Sequence, residues 1–279
     1  MWDRRKLLLA AIVFTAFYYK VTAESVKLLD MAPNAVDDMY SGCRKEAMEK
    51  FIHSGLLQQE QNGNKGFQKA WSENTQCSKL IPGKIKEHTT ALLAYANGDE
   101  DFQRTFGNAV EKLGVNVSIY EDHFHFKSLH FLLMDSMMLM NPKKCKTMYA
   151  LSGKKYTAKK GSEVRLGRFT VVSSSYSELI EMEDMGDQVV LNITSCFFVH
   201  LGDNICSNTD TALLSPAEVF TVEEIKRKWN DDEYTEIFLK HLRLKSYHNC
   251  YIFSRAPADV STLWLVLVLA ALFLFFFNC

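Results

Sequence analysis

Apolar residues recur at three- and four-residue steps through the first half of the chain and give way to short strand-like runs after Pro142. Ile85, His88, Ala91, Leu92 and Tyr95 mark one helical face within residues 83–96, and Phe102, Phe106, Val110 and Leu113 mark another within 101–113. Ser41 is placed to cap a helix carrying Glu46, Met48, Phe51 and Ile52. Ser118 with Glu121 reads as a capping box that opens the most apolar helix, running to about Met140. Pro142 stops it, because proline offers no amide hydrogen and clashes with the preceding turn. Residues 165–175, 188–199 and 217–222 are rich in Val, Ile, Phe and Thr and predict strands. Residues 202–215, with Asp203, Asn204, Asn208 and Asp210, predict a polar loop. The expected fold is α+β: a helical lobe, 24–142, packed on a mainly antiparallel β lobe, 143–255.

The two ends do not follow either periodicity. Arg4, Arg5 and Lys6 precede an apolar run over 7–19, and Val21-Thr22-Ala23 supplies small residues, so residues 1–23 read as a signal peptide cleaved after Ala23. An N-terminal membrane anchor is the other reading, for which the run is short. Residues 263–277 are apolar throughout, with small residues upstream at Ser254, Ala256, Ala258 and Ser261. Residues 256–279 therefore read as a glycosylphosphatidylinositol-attachment signal, with a short C-terminal transmembrane anchor as the alternative. Either way the ectodomain, 24–255, faces the outside of the cell, and its expected partners are extracellular or surface proteins and the outer leaflet.

Composition agrees with that placement. The net charge of −1 gives no electrostatic reason to expect a nucleic-acid partner. Of the seven cysteines, Cys279 lies in the tail. Cys43, Cys77, Cys145, Cys196, Cys206 and Cys250 remain, an even set that in an oxidising compartment predicts three disulfides from about fifteen possible pairings. No CxxC and no close Cys/His pair supports a metal, and none is expected. Asn116 and Asn192 head N-glycosylation sequons.

Individual clusters are ambiguous about chemistry. Among His123, His125 and His130 the first two are two residues apart on a predicted helix and so point to different sides, which favours packing over metal binding. Lys143, Lys144, Lys146, Lys154, Lys155, Lys159 and Lys160 form a basic run around Cys145 that reads first as a solvated rim. Ser173-Ser174-Ser175 before Tyr176 lacks the glycine-flanked elbow of a nucleophilic serine. Met134, Met137, Met138 and Met140 read as core filling.

Four segments taken in order resemble the vertebrate ecto-mono-ADP-ribosyltransferases. They are Leu29-Asp30-Met31-Ala32-Pro33-Asn34-Ala35-Val36-Asp37-Asp38-Met39-Tyr40 before Cys43; Phe124-His125-Phe126-Lys127-Ser128-Leu129-His130; Val164-Arg165-Leu166-Gly167-Arg168-Phe169; and Pro216-Ala217-Glu218-Val219-Phe220. The resemblance implies an NAD cleft and transfer of ADP-ribose from NAD or NADP to a protein arginine. In such a site an arginine clamps the pyrophosphate, a serine positions the ribose, and a glutamate stabilises the oxocarbenium-like centre. By the same resemblance Arg165, Gly167 and Ser173 would line the cofactor. It also suggests the pairings Cys43–Cys250 and Cys145–Cys196, leaving Cys77–Cys206.

The reactive positions depart from that pattern. Ala150 follows Tyr149 where the arginine belongs, Val171 stands two residues after Phe169 where the serine belongs, and Thr211 takes the place of the glutamate, with Thr209 at the acceptor-side acid. The expectation is a surface protein of this family that is weakly active or inactive and acts by binding. The alternative is transfer through a shifted site built on Ser173 and Asp210.

Overall fold

The computed structural model describes residues 26–77, 85–141, 143–152, 156–181, 188–202, 210–230 and 232–254. The expected signal peptide and lipid-attachment tail, Pro142, Lys154, Lys155, Cys206 and Thr209 lie outside them. Helices fill the first half: α1 (Arg44–Met48), continued by one π-helical turn (Glu49–His53), α2 (Leu56–Gly63), α3 (Lys65–Glu73), α4 (Lys86–Asn97), α5 (Glu100–Lys112), α6 (Val117–His123) and α7 (Lys127–Met140). Two sequence expectations shift here. Ser41 does not cap α1; Cys43 holds the N-cap position, without a side-chain cap, and is tied to Cys250 by a disulfide.

The long apolar helix is in fact two. Asn116, not Ser118, caps α6, its Oδ1 accepting the Ile119 N–H at 2.9 Å. The chain then turns at Phe124–Phe126, which sends both rings into the core. α7 restarts because Glu60, from α2, reaches across to accept the N–H groups of Lys127 (2.8 Å) and Ser128 (2.9 Å). Lys127 closes the end of α6 in return, its Nζ donating to the carbonyls of Glu121 and Phe124. Donors and acceptors orphaned at two helix ends are thus satisfied from a distance. Met134 and Met137 are fully buried as expected, whereas Met138 is exposed.

The strands are β1 (Lys27–Leu28), β2 (Lys146–Ser152), β3 (Tyr156–Thr157), β4 (Glu163–Val164), β5 (Thr170–Ser173), β6 (Val189–Ser195), β7 (Phe198–His200), β8 (Thr211–Leu214), β9 (Glu218–Asn230) and β10 (Asp232–Leu244), with a short helix α8 (Tyr176–Glu181) after β5. β1 and β3 form a small parallel pair, and the other strands make one sheet in the order β4-β9-β10-β6-β2-β5-β8-β7. All its neighbours are antiparallel except β10 and β6. The run at 165–175 contributes only β5, the run at 188–199 breaks at Cys196 and Phe197, and the polar loop contains β8. One face of β5, β7 and β8 meets the helical core through Val171, Val199 and Leu213, while Val172, Phe198, Ala212 and Leu214 turn into a second cluster inside the β lobe.

Disulfides Cys43–Cys250 and Cys145–Cys196 are both present; Cys77 is also disulfide-bonded, its expected partner lying outside the described residues.

The lobes are joined by the N-terminal segment. Asp37 is fully buried, paired with the guanidinium of Arg165, and accepts the backbone N–H groups of Tyr247 (2.9 Å) and His248 (3.0 Å). Burial opposes its charge, but the His248 hydrogen bond and the Arg165 cation outweigh it and hold its pKa below the ordinary value. Asp38 accepts from the N–H groups of Tyr40, Cys250 and Tyr251 and has no such cation, so burial pushes it up to about 6.

His130 closes the same junction. Its Nε2 sits 2.9 Å from the Val36 carbonyl, which can only accept, so Nε2 carries the proton and Nδ1 accepts the Tyr40 hydroxyl at 2.9 Å. Complete burial lowers its pKa to about 4. The unfolded chain, with histidine near 6.5, therefore binds a proton that the folded chain refuses between pH 6.5 and 4. Stability from this group is lost as pH falls through that window, by roughly 3 kcal/mol when complete. Asp38 acts in the opposite sense between about 4 and 6, its raised pKa favouring the folded state at the acid side. The expected result is that His130→Gln, less stable at pH 7, loses less of its melting temperature than the parent between pH 6.5 and 4; equal slopes by thermal denaturation would contradict the neutral buried imidazole.

Candidate functional site

The positions expected to carry chemistry lie on three adjacent strands. Tyr149 of β2 pairs with Ser173 of β5, and Ser173 pairs in turn with Thr211 of β8; Val171 pairs with Leu213. Directly paired residues share a face, so Tyr149, Ser173, Thr211 and Val171 look to one side of the sheet. Ala150, one residue beyond Tyr149, looks to the other. It is buried, at 6% exposure, in the β-lobe cluster with Met148, Val172, Leu191 and Ala212. Val171 packs instead against the helical core. The two apolar residues thus belong to separate hydrophobic clusters.

At the ends of these strands a polar contact assembles. Lys146 Nζ donates to Ser174 Oγ at 2.7 Å and lies 3.9 Å from the Asp210 carboxylate, and the Ser174 N–H donates to the Asp210 carbonyl at 3.1 Å. Ser173, expected beside Asp210, spends its hydroxyl on a turn: Oγ donates to the Ser175 carbonyl (3.2 Å) and accepts the Ser175 N–H (3.0 Å). Asp210 is thereby brought to Ser174 and Lys146, and its side chain is mostly exposed. Lys146 was legible only as one member of the basic run; nothing in the sequence links it to Ser174. Tyr149 is covered on the same side by the Tyr176 ring, 5.0 Å away, and the Tyr176 hydroxyl is 2.7 Å from that of Tyr234.

Two residues expected to line a cofactor have structural tasks. Arg165 is not available to a ligand: Nε donates to the Met31 carbonyl (2.7 Å), Nη2 to Ala32 (2.8 Å), Nη1 to Lys245 (3.1 Å) and to Asp37, and the guanidinium lies 4.6 Å from the Tyr247 ring. Its side chain has no exposure, and its clamp closes on an internal carboxylate. Gly167 adopts φ +71°, and a Cβ there would stand 2.7 Å from Cβ of Ala32, so glycine lets the loop pass the N-terminal segment. His123 ends α6 and His125 sits in the turn after it, not together on one helix. Among the described residues no group of three His, Cys, Asp or Glu side chains is arranged to hold a metal.

Missed by sequence reasoning is Glu218, within Pro216-Ala217-Glu218-Val219-Phe220. It is fully buried and accepts from Ser195 Oγ (2.7 Å), the Cys196 N–H (3.0 Å) and His241 Nδ1 (2.6 Å). It fastens β9 to the end of β6 beside the Cys145–Cys196 disulfide. A depression lined by Asn64, Lys65, Lys69, Asp99, Phe102 and Thr105 belongs to the helical lobe and includes no residue of β2, β5 or β8.

A family model for NAD:arginine ADP-ribosyltransferase matches residues 29–246. The chain belongs to this family. Of the relatives of the NAD:arginine ADP-ribosyltransferase family to which it is similar, T-cell ecto-ADP-ribosyltransferase 2 of Rattus norvegicus is 31% identical over 251 residues, covering 86% of each chain. GPI-linked NAD(P)(+)--arginine ADP-ribosyltransferase 1 of Mus musculus is 28% identical over 260 residues, covering 85% of this chain and 77% of its own. The crystal structure of the eucaryotic mono-ADP-ribosyltransferase ART2.2 superposes with a TM-score of 0.65 at 28% identity, over 80% of this chain and 98% of that one. Mutants of that relative were crystallised in complex with NADH and with NAD.

Ala150, Val171 and Thr211, the residues expected at the family's arginine, serine and glutamate positions, are a buried alanine, a valine packed on the helical lobe and a half-buried threonine at the start of β8. Placing an arginine at position 150 is not a local change. Ala150→Arg would force a guanidinium into an apolar cluster without a partner, at an expected loss of several kcal/mol. Thr211→Glu, at a half-buried strand start, is expected to cost much less. Chemical denaturation of both variants checks the order; equal midpoints would contradict the inward orientation of Ala150.

Proposed function

We propose that this is a cell-surface member of the NAD:arginine ADP-ribosyltransferase family that acts by binding extracellular or surface proteins, with ADP-ribose transfer weak or lost. What supports the reading is that Ala150, Val171 and Thr211 stand where the resemblance puts the reactive arginine, serine and glutamate. Opening the glycosidic bond of NAD leaves positive charge on the ribose, and a preorganised carboxylate is what stabilises it. Removing one such group typically lowers a rate on the order of 100- to 1000-fold. The Lys146–Ser174–Asp210 contact favours a second reading, transfer through a shifted site, because it places an acid and a cation at the end of the same strands.

One assay separates the two. The purified protein is incubated with labelled NAD and an arginine-rich acceptor beside an active relative, and NAD binding is measured by calorimetry. Labelling below about one hundredth of the relative's is expected. Robust labelling that Asp210→Ala abolishes would establish the shifted site and end the binding-only reading.

The surface placement rests on the basic-apolar leader at 1–23, the apolar tail at 263–277, the disulfides, and relatives whose names include "GPI-linked" and "ecto". No helix among the described residues is long and apolar enough to cross a membrane. Glycans at Asn116 and Asn192 belong to the same proposal. Phosphatidylinositol-specific phospholipase C is expected to release the protein from intact cells; retention would favour the transmembrane alternative.

A further inference from the structure

The sequon Asn192-Ile193-Thr194 falls inside β6, the strand between β10 and β2, so its acceptor is held at a fixed place on the sheet. Asn192 pairs with Phe238 on one side and with Tyr149 on the other; Tyr149 pairs with Ser173, and Ser173 with Thr211. These residues form one row across the sheet, and directly paired residues share a face. Asn192 therefore stands on the face of the candidate site, two strand spacings, or about 10 Å, from Ser173. The other sequon has no such relation: Asn116 is exposed and caps α6 in the helical lobe.

The half-buried Asn192 amide is oriented by one neighbour. Its Nδ2 donates to Glu236 Oε1 at 3.0 Å, and Glu236 is itself buried, with Oε2 3.4 Å from Lys228 Nζ. A primary amide carries two hydrogens that point apart, and glycosylation replaces one of them. Glu236 can keep the first, so the sugar leaves by the second, away from β10 and toward β2. Along β6 the face is closed on one side of Asn192 and open on the other. Tyr176, Leu179 and Ile180 of α8 pack over Val190. At Thr194 the surface is polar: Thr147 is exposed, and its Oγ1 lies 3.0 Å from Thr194 Oγ1. A glycan so directed passes over Thr147 and Tyr149, which offer it a hydroxyl and an aromatic ring, and reaches the row of Ser173 and Thr211. We propose that Asn192 carries an N-glycan that lies over β2 and β5 and screens the face shared by Tyr149, Ser173 and Thr211. The inference rests on the surface placement proposed above, because only a chain that enters the secretory pathway receives such a glycan.

The test uses the full-length chain made in animal cells. Thr194→Val removes this sequon while leaving Asn192 and its bond to Glu236, and Ser118→Ala removes the other while leaving the Asn116 cap. Thr194→Val is expected to lose one glycan by gel mobility. Hydroxyl-radical footprinting read by mass spectrometry then measures the exposure of Tyr149. Its oxidation is expected to rise several-fold in Thr194→Val and to rise in the parent once an endoglycosidase trims its glycans to the first sugar. Ser118→Ala should leave Tyr149 as in the parent, and Tyr247, at the junction of the lobes, serves as the unchanged reference. Loss of a glycan in Ser118→Ala but not in Thr194→Val would overturn this inference and leave the surface placement standing; loss in neither would overturn both. A glycan at Asn192 with Tyr149 oxidised equally in every form would refute the screening.

Discussion

The Arg165–Asp37 pair is the contact on which the arrangement of the two lobes depends. Both side chains are fully buried, and each is surrounded by further polar partners: three backbone carbonyls around the guanidinium, and two backbone N–H groups with His248 around the carboxylate. That completeness is what makes two buried charges tolerable, since removing one partner from such a pair costs about 3–5 kcal/mol. Three distant segments meet there: the chain opening, the loop after β4, and the end of β10. Cys43–Cys250 fastens the same neighbourhood covalently, and Asp38 binds the turn that carries Cys250. His130 then joins this junction to α7.

Once that frame holds, β2, β5 and β8 are laid side by side whatever their side chains do. This separates the scaffold from the chemistry displayed on it. Ala150 and Val171 supply apolar surface to clusters on either side of the sheet. An arginine at position 150 would meet the packing that surrounds Ala150. The same sheet ends in a long hairpin, and beyond Val222 no described strand lies against the outer side of β9.

Much of the architecture was legible from periodicity. α4 and α5 fall within a few residues of the predicted spans because their apolar stripes act locally, and Asp99 caps α5. The helix predicted from Ser118 to Met140 failed for a reason no local pattern contains: Glu60, more than sixty residues away, caps a second helix start. β8 was hidden inside a polar loop because its partners, β5 and β7, supply its pairing from elsewhere in the chain.

The sequence by itself determined that the chain is α+β and resembles one family over most of its length, and it set the expectation that Ala150, Val171 and Thr211 stand at that family's arginine, serine and glutamate positions. These are properties of residue order, periodicity and identity. Only the tertiary structure decided what the remaining charged residues are for. Arg165 has the chemistry of an anion clamp in either setting, and its burial against Asp37 made it a strut and not a ligand. Asp210 was brought to Ser174 and Lys146 and not to Ser173 because the turn after β5 claims the Ser173 hydroxyl. A side chain's chemistry is written in the sequence, but its partner is set by which distant segment the fold carries to within hydrogen-bonding reach.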